Sequence, residues 1–180
     1  GGIIIFAVIL VITFAFYQDI YSKKFFIAGA FVVFALGLAD DYKPIKWYFK
    51  FLVQSIAAIF LILSLEAHNF TLITLMEFTL FPGVNYIILF FLIVGVLNSF
   101  NLLDGLDGLV TGISLVIAAM CFLLSMGEPF LFLPVLAAAT IGTTLGFLKF
   151  NANPARIFLG DSGSLILGYI VTGLVLAISG

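Results

Sequence analysis

Two carboxamides, two carboxylates and two glycines fall within the eleven positions Asn98-Ser99-Phe100-Asn101-Leu102-Leu103-Asp104-Gly105-Leu106-Asp107-Gly108. They follow a run of lipid-soluble residues. A charged group at membrane depth is costly, and it usually marks a place that handles a cation or a polar substrate. Asn98, Asn101, Asp104 and Asp107 recur at every third position. Neighbours in such a series share a helix face, but Asn98 and Asp107 would point opposite ways. All four meet only if the helix breaks, and Gly105 offers the break. The plainer role open to Asp107 is to cap a helix starting at Gly108.

Two further segments add polar groups. Asp40-Asp41 closes an apolar run, where two acids sit against the negative end of a helix dipole and repel each other unless a cation is near. They read either as a base or cation-organising pair, or as a solvated loop start balanced by Lys43 and Lys46. The stretch from Asn151 to Ser164 contains Pro154, which stops a helix, and Gly160 and Gly163, which allow close backbone approach. Within it, Arg156 offers a forked donor for phosphate oxygens, or else a simple positive anchor. Asp161 joins four other acids, or merely caps the last helix in competition with Ser162 and Ser164. Five carboxylates, carboxamides and hydroxyls form an oxygen-rich set, suited to a hard cation such as Mg²⁺ bound together with phosphates. Cys121 and His68 are the only residues of their kinds, and His68 falls on the opposite side, which disfavours a zinc site. This chemistry points to phosphoryl transfer at a membrane surface.

The elements that must position these groups follow from composition. The chain is 64% hydrophobic and 9% charged, against roughly 25% charged in soluble domains, with a mean hydropathy of +1.34. An all-α, polytopic membrane helix bundle is expected, with spans at 2–17, 25–39, 47–65, 84–97, 109–126, 129–148 and 164–180. The apolar runs do not alternate with period two, so a barrel is disfavoured. A short outer-face hairpin is predicted within His68–Asn85 from alternating Thr and apolar residues. Spans alternate in direction, so the loops at 40–46, 98–108 and 149–163 share one side. That side carries Lys43, Lys46, Lys50, Lys149 and Arg156 against Lys23 and Lys24 opposite, which predicts a cytoplasmic location. Asp40, Asp41, Asp104, Asp107 and Asp161 lie there too, whereas Asp19, Glu66, Glu77 and Glu128 face the other way. Gly1-Gly2 opens straight into Ile3-Ile4-Ile5, with neither Met nor a basic leader. The expectation is a single membrane core over 1–180, cut at both ends from a longer protein.

At three motifs the chain resembles the polyprenyl-phosphate N-acetylhexosamine-1-phosphate transferases (glycosyl transferase family 4), which include the phospho-N-acetylmuramoyl-pentapeptide translocases. The motifs are Gly37-Leu38-Ala39-Asp40-Asp41, Asn98 to Leu109, and Pro154 to Ser164, in order and at suitable separations. The resemblance implies an enzyme of the inner membrane, active at its cytoplasmic face. It would move a sugar 1-phosphate from a UDP-N-acetylsugar to a polyprenyl phosphate, release UMP and begin cell-envelope glycan synthesis. It implies Mg²⁺, with Mn²⁺ as an alternative, bound by Asp161 with Asn101 as second ligand. Asp40, Asp41, Asp104 and Asp107 become catalytic, the first two beside the lipid phosphate. Asn98, Asn101, Asp107, Asn151 and Arg156 become substrate-binding, with Asp107 and Asn98 nearest the uridine. Partners would be the two substrates and the membrane, with no nucleic acid; a homodimer is allowed. Leu103, where the cell-wall translocases tend to carry Thr, leans toward the O-antigen and teichoic acid branch. Three other classes fit less well. A cation- or proton-coupled transporter expects acids at mid-span. An intramembrane aspartyl protease would need glycine at Phe158, and a CDP-alcohol phosphotransferase Ala-Arg at Thr111-Gly112. The family also has an N-terminal helix and a C-terminal histidine-bearing loop that this chain lacks. The 180-residue chain alone is therefore expected to be inactive, and UMP release by the purified segment would overturn that expectation.

Overall fold

The computed structural model describes residues 1–16, 24–66, 82–126 and 132–179. Seven helices account for nearly all of them: α1 (Gly2–Phe16), α2 (Lys24–Tyr42), α3 (Trp47–Glu66), α4 (Pro82–Leu103), α5 (Leu109–Ser125), α6 (Phe132–Asn151) and α7 (Gly160–Ser179). Among the described residues there is no strand. Each predicted span is helical over its described residues. Five (α2, α3, α4, α6 and α7) are long and apolar enough to cross a membrane, while α1 and α5 are shorter apolar helices. The chain is an integral membrane protein of the helical type. Most of the predicted hairpin, together with His68, Lys23, Asp19, Glu77 and Glu128, lies outside the described residues, and Pro82–Asn85 forms the first turn of α4.

The helix ends differ from the predicted spans where polar residues meet. α2 runs past Ala39 and takes Asp40 and Asp41 into its last turn, because nothing stops it before Pro44, whose ring disfavours helix in the residue ahead of it. α4 likewise continues through Asn98 and Asn101 and ends only at Leu103. α7 starts at Gly160, so Asp161 lies in its first turn rather than in a loop.

The centre of the bundle is α7, buried continuously from Ser162 to Leu174 and packed against α1, α2, α4, α5 and α6. In lipid, helix association depends on close packing and interhelical hydrogen bonds more than on apolar burial, and small residues permit both. Gly168 lies against Phe100 of α4, and Gly173 against the Phe26 ring of α2. The fully buried Tyr169 fits over Gly29 of α2 and donates its hydroxyl to the Phe26 carbonyl at 3.1 Å. Several serine and threonine hydroxyls inside the spans donate within their own helices: Ser114 to Val110 O, Thr140 to Leu136 O, Thr172 to Gly168 O. Those polar residues therefore carry no desolvation penalty in the membrane. Phe31, Ile59, Phe91, Met120, Leu123 and Leu145 point outward, as a lipid-facing surface requires.

The backbones of α2 and α7 meet at Gly37, where an added Cβ would collide with the backbone of Asp161 and Ser162. Gly37→Leu is expected to lower stability by at least the ~1–3 kcal/mol typical of overpacking, read as a fall in the thermal midpoint in detergent. An unchanged midpoint would mean that the two helices are not in contact there.

Candidate active site

A helix N-terminus leaves up to four amide N–H groups without partners and carries partial positive charge. In α7 those groups are met by carboxylates from elsewhere in the chain. The Gly160 N–H donates to Asp104 Oδ2 at 3.1 Å. The Asp161 N–H donates to Asp41 Oδ1 at 2.7 Å, and Asp41 Oδ2 accepts from the Ser162 N–H at 3.2 Å and the Ser162 hydroxyl at 2.6 Å. Two glycines make this possible. Gly37, one turn before Asp41, lets α2 press on the first turn of α7. Gly160, at φ 77°, holds a left-handed conformation that side chains disfavour, and an added Cβ there would lie 2.9 Å from Asp41 Oδ1.

Asp161 directs its own carboxylate to another partner. Lys50 Nζ bridges Asp40 Oδ2 and Asp161 Oδ2, the latter at 2.9 Å. Asp40 is nearly buried, with its side chain 7% exposed, and its Oδ1 accepts the Ile45 N–H that follows Pro44. Asn101 donates to Ser164 Oγ at 3.5 Å and also faces the Asp161 carboxylate. Asp104, just beyond the end of α4, has its carboxyl pushed up to about 6 by burial. The charges of Asp161 and Asp41 push the same way, and the Gly160 N–H pulls back. Between its ordinary 3.8 and about 6, the folded chain holds a proton that the unfolded chain releases, so this group's stabilisation falls as pH rises through that window.

Asp40, Asp41, Asn101, Asp104 and Asp161 thus converge on one helix end. The other candidates are placed elsewhere. The chain breaks at 104–108 as Gly105 suggested, yet the four residues of the three-residue series do not meet at one point. Asn98, exposed on α4, turns to α3 and donates to Gln54 Oε1 at 2.8 Å and to Val94 O. Asp107 is exposed and accepts from Asn153 Nδ2 at 3.3 Å and the Ala155 N–H at 3.0 Å, tying two turns together. It does not cap α5, whose N-cap is Gly108 with no side-chain bond. Arg156 is exposed and forms no salt bridge among the described residues. Asn151, implied as a substrate contact, is turned into the bundle. It is buried, accepts from Thr111 Oγ1 at 2.7 Å and donates to Ile157 O, so it locks α5, α6 and the following loop together.

Sequence reasoning missed Lys50 and Gln54 as site residues. Lys50 entered only as one of several positive charges on its side. A lysine and a carboxamide one turn apart inside an apolar span were the available signal, since intramembrane polar residues are functional by default. Gln54 is 1% exposed.

Among the described residues no three His, Cys, Asp or Glu side chains form a ready-made metal cage. Mg²⁺ seldom needs one, since it keeps waters and binds one or two carboxylates with substrate phosphates. Asp161 fits that donor set, and the neighbouring Asn101 side chain carries an oxygen of the same kind. The position of the Lys50 ammonium shows that positive charge is favoured between Asp40 and Asp161.

Residues 23–179 match the family model for glycosyl transferase family 4. A probable undecaprenyl-phosphate N-acetylglucosaminyl 1-phosphate transferase of Bacillus subtilis (strain 168) is 35% identical over 180 residues, covering 98% of this chain and 50% of that protein. A phospho-N-acetylmuramoyl-pentapeptide-transferase of Clostridioides difficile (strain 630) is 37% identical over 159 residues, covering 80% and 48%. The chain spans about half the length of the curated relatives it matches.

Removing Lys50 would leave two neighbouring carboxylates without their shared counter-ion. Lys50→Met is expected to lower the thermal midpoint by a few degrees, about what a ~1 kcal/mol loss gives in a chain of this size. Added Mg²⁺ should raise the variant's midpoint more than the parent's. Equal midpoints and equal responses to Mg²⁺ would show that Lys50 does not balance these acids.

Proposed function

This chain belongs to glycosyl transferase family 4, and from that premise we propose that the full-length protein transfers an N-acetylhexosamine 1-phosphate from a UDP-sugar to a polyprenyl phosphate. UMP is released, and the lipid diphosphate sugar begins a cell-envelope glycan. The observation that carries the reading is the convergence of Asp40, Asp104 and Asp161, from three separate parts of the chain, around Lys50 and the first turn of α7. The site lies at the end of the bundle assigned to the cytoplasm by its excess of lysine and arginine. The Bacillus subtilis relative, matched along 98% of this chain, favours UDP-N-acetylglucosamine as donor and undecaprenyl phosphate as acceptor. Nothing in the site favours the transporter alternative, because its acids gather at one end of the helices and not at mid-span.

In the proposed reaction an oxygen of the lipid phosphate attacks the sugar-bearing β-phosphorus of the nucleotide. The bond from that phosphorus to the bridging oxygen breaks, and UMP leaves with the bonding electrons. Mg²⁺ (or Mn²⁺), held by Asp161 and Asn101, would supply neutralisation of the diphosphate charge. The first amides of α7 are already paired to Asp41 and Asp104. They are therefore not free to cradle phosphate as many helix ends do. Positive charge for the phosphates falls instead to Lys50 and to the exposed Arg156. Asp40, fixed by Lys50 and the Ile45 N–H, steers the acceptor and can take a proton from it. Asn98, held by Gln54, and Asp107 would serve the uridine end of the nucleotide.

Phosphoryl transfer depends chiefly on positioning and charge stabilisation. Asp161→Asn should therefore cut turnover by about two orders of magnitude or more, with the thermal midpoint close to the parent's. The assay is UMP release and recovery of labelled lipid from membranes containing the full-length protein and radiolabelled UDP-sugars. Near-normal turnover of the variant at ordinary Mg²⁺ would remove Asp161 from the metal site. Labelling from UDP-N-acetylgalactosamine but not UDP-N-acetylglucosamine would overturn the donor assignment.

A further inference from the structure

Asp40 and Asp41 are adjacent in sequence, yet the fold gives them different tasks. Successive helix residues diverge by about 100°, so Asp40 faces Lys50 on α3 while Asp41 faces α7. Both Asp41 oxygens are occupied. Oδ1 takes the Asp161 N–H, and Oδ2 takes the Ser162 N–H and hydroxyl, three bonds from one carboxylate to one helical turn. Gly37 brings the two backbones together on the same face of α2, and Gly160 clears the space that Asp41 fills. No side chain of α7 itself takes those two amides, so the turn that presents the Asp161 carboxylate is fixed from outside, by a residue 120 positions away.

We propose that Asp41 is a positioning residue: it caps α7 in trans, aims Asp161 at Lys50 and Asp40, and does not itself touch substrate. The inference rests on the proposed function for what the site does, but the cap is a structural claim that can be measured independently.

Three variants of the full-length protein separate this role from a chemical one. Asp41→Asn keeps an acceptor oxygen for one amide, and its NH₂ can donate to Ser162 Oγ. Asp41→Ala removes the cap entirely. Ser162→Ala deletes one of the three bonds without altering any carboxylate. The readouts are kcat, KM for the UDP-sugar, and hydrogen exchange of the amides at 160–162 by mass spectrometry. A capping bond is worth roughly a tenfold change in an equilibrium constant. Exchange at 160–162 should accordingly rise in the order Ser162→Ala, Asp41→Asn, Asp41→Ala. Turnover should fall in that order, by about threefold, tenfold and a hundredfold, with KM within about twofold of the parent. Asp41→Asn as inactive as Asp41→Ala, with unchanged exchange at 160–162, would overturn the proposal and make Asp41 a reacting group. Should Asp41→Ala fail to fold, the other two variants decide: a dead Asp41→Asn beside a fully active Ser162→Ala also overturns it. If the parent protein transfers no sugar phosphate, the proposed function fails. The exchange arm still judges the cap, and unchanged protection in Asp41→Asn would sink it.

Discussion

The site depends on how the N-terminus of α7 is satisfied. This helix is buried almost throughout, and its first amides would be expensive to leave unpaired at a membrane surface. Carboxylates supply both the acceptors and the charge that the positive end of the dipole favours. Because those carboxylates come from α2 and from the turn after α4, closing the helix end also draws three distant stretches of chain together. The cap and the assembly of the acids are one event. Small residues support it: Gly37 admits the backbone of α7, and further along Gly168 and Gly173 admit side chains from α4 and α2.

Concentrating acids creates a second constraint, since like charges close together in a poorly hydrated place repel. The fold answers in three ways. Asp41 and Asp104 direct their charge at amide donors, Asp40 and Asp161 share Lys50, and the Asp104 carboxyl, raised to about 6, takes up a proton more readily than an ordinary aspartate. What gathers at this end of the bundle is a small set of oxygen atoms around the Lys50 ammonium. Such a set is suited to receive a polyphosphate and its counter-ion, and poorly suited to passing ions through the membrane.

Much of this was legible before any coordinates. Continuous apolar runs identify helices, and the alternation of spans puts 40–46, 98–108 and 149–163 at the same end, where the acids do meet. Element boundaries were legible only in part. The polar residues were read as interruptions, so Asp40, Asp41, Asn98, Asn101 and Asp161 were placed at or beyond helix ends. In the fold they belong to helical turns, because a polar side chain with a partner does not terminate a helix. Asn151 was not placed by any local pattern: its partners Thr111 and Ile157 hold it inside.

Composition and periodicity depend on each residue and its near neighbours, and they alone determined the membrane class, the helical architecture, the shared end of the three motifs and their oxygen-donor chemistry. Which acid does what was decided only by tertiary pairing. Lys50 reaches Asp161 across 111 positions, and its spacing from Gln54 marks it as polar within a span without saying which acids it meets. The division of labour between Asp40 and Asp41 likewise comes from a rotation of one residue on α2, which becomes meaningful only once α3 and α7 stand on different sides of that helix.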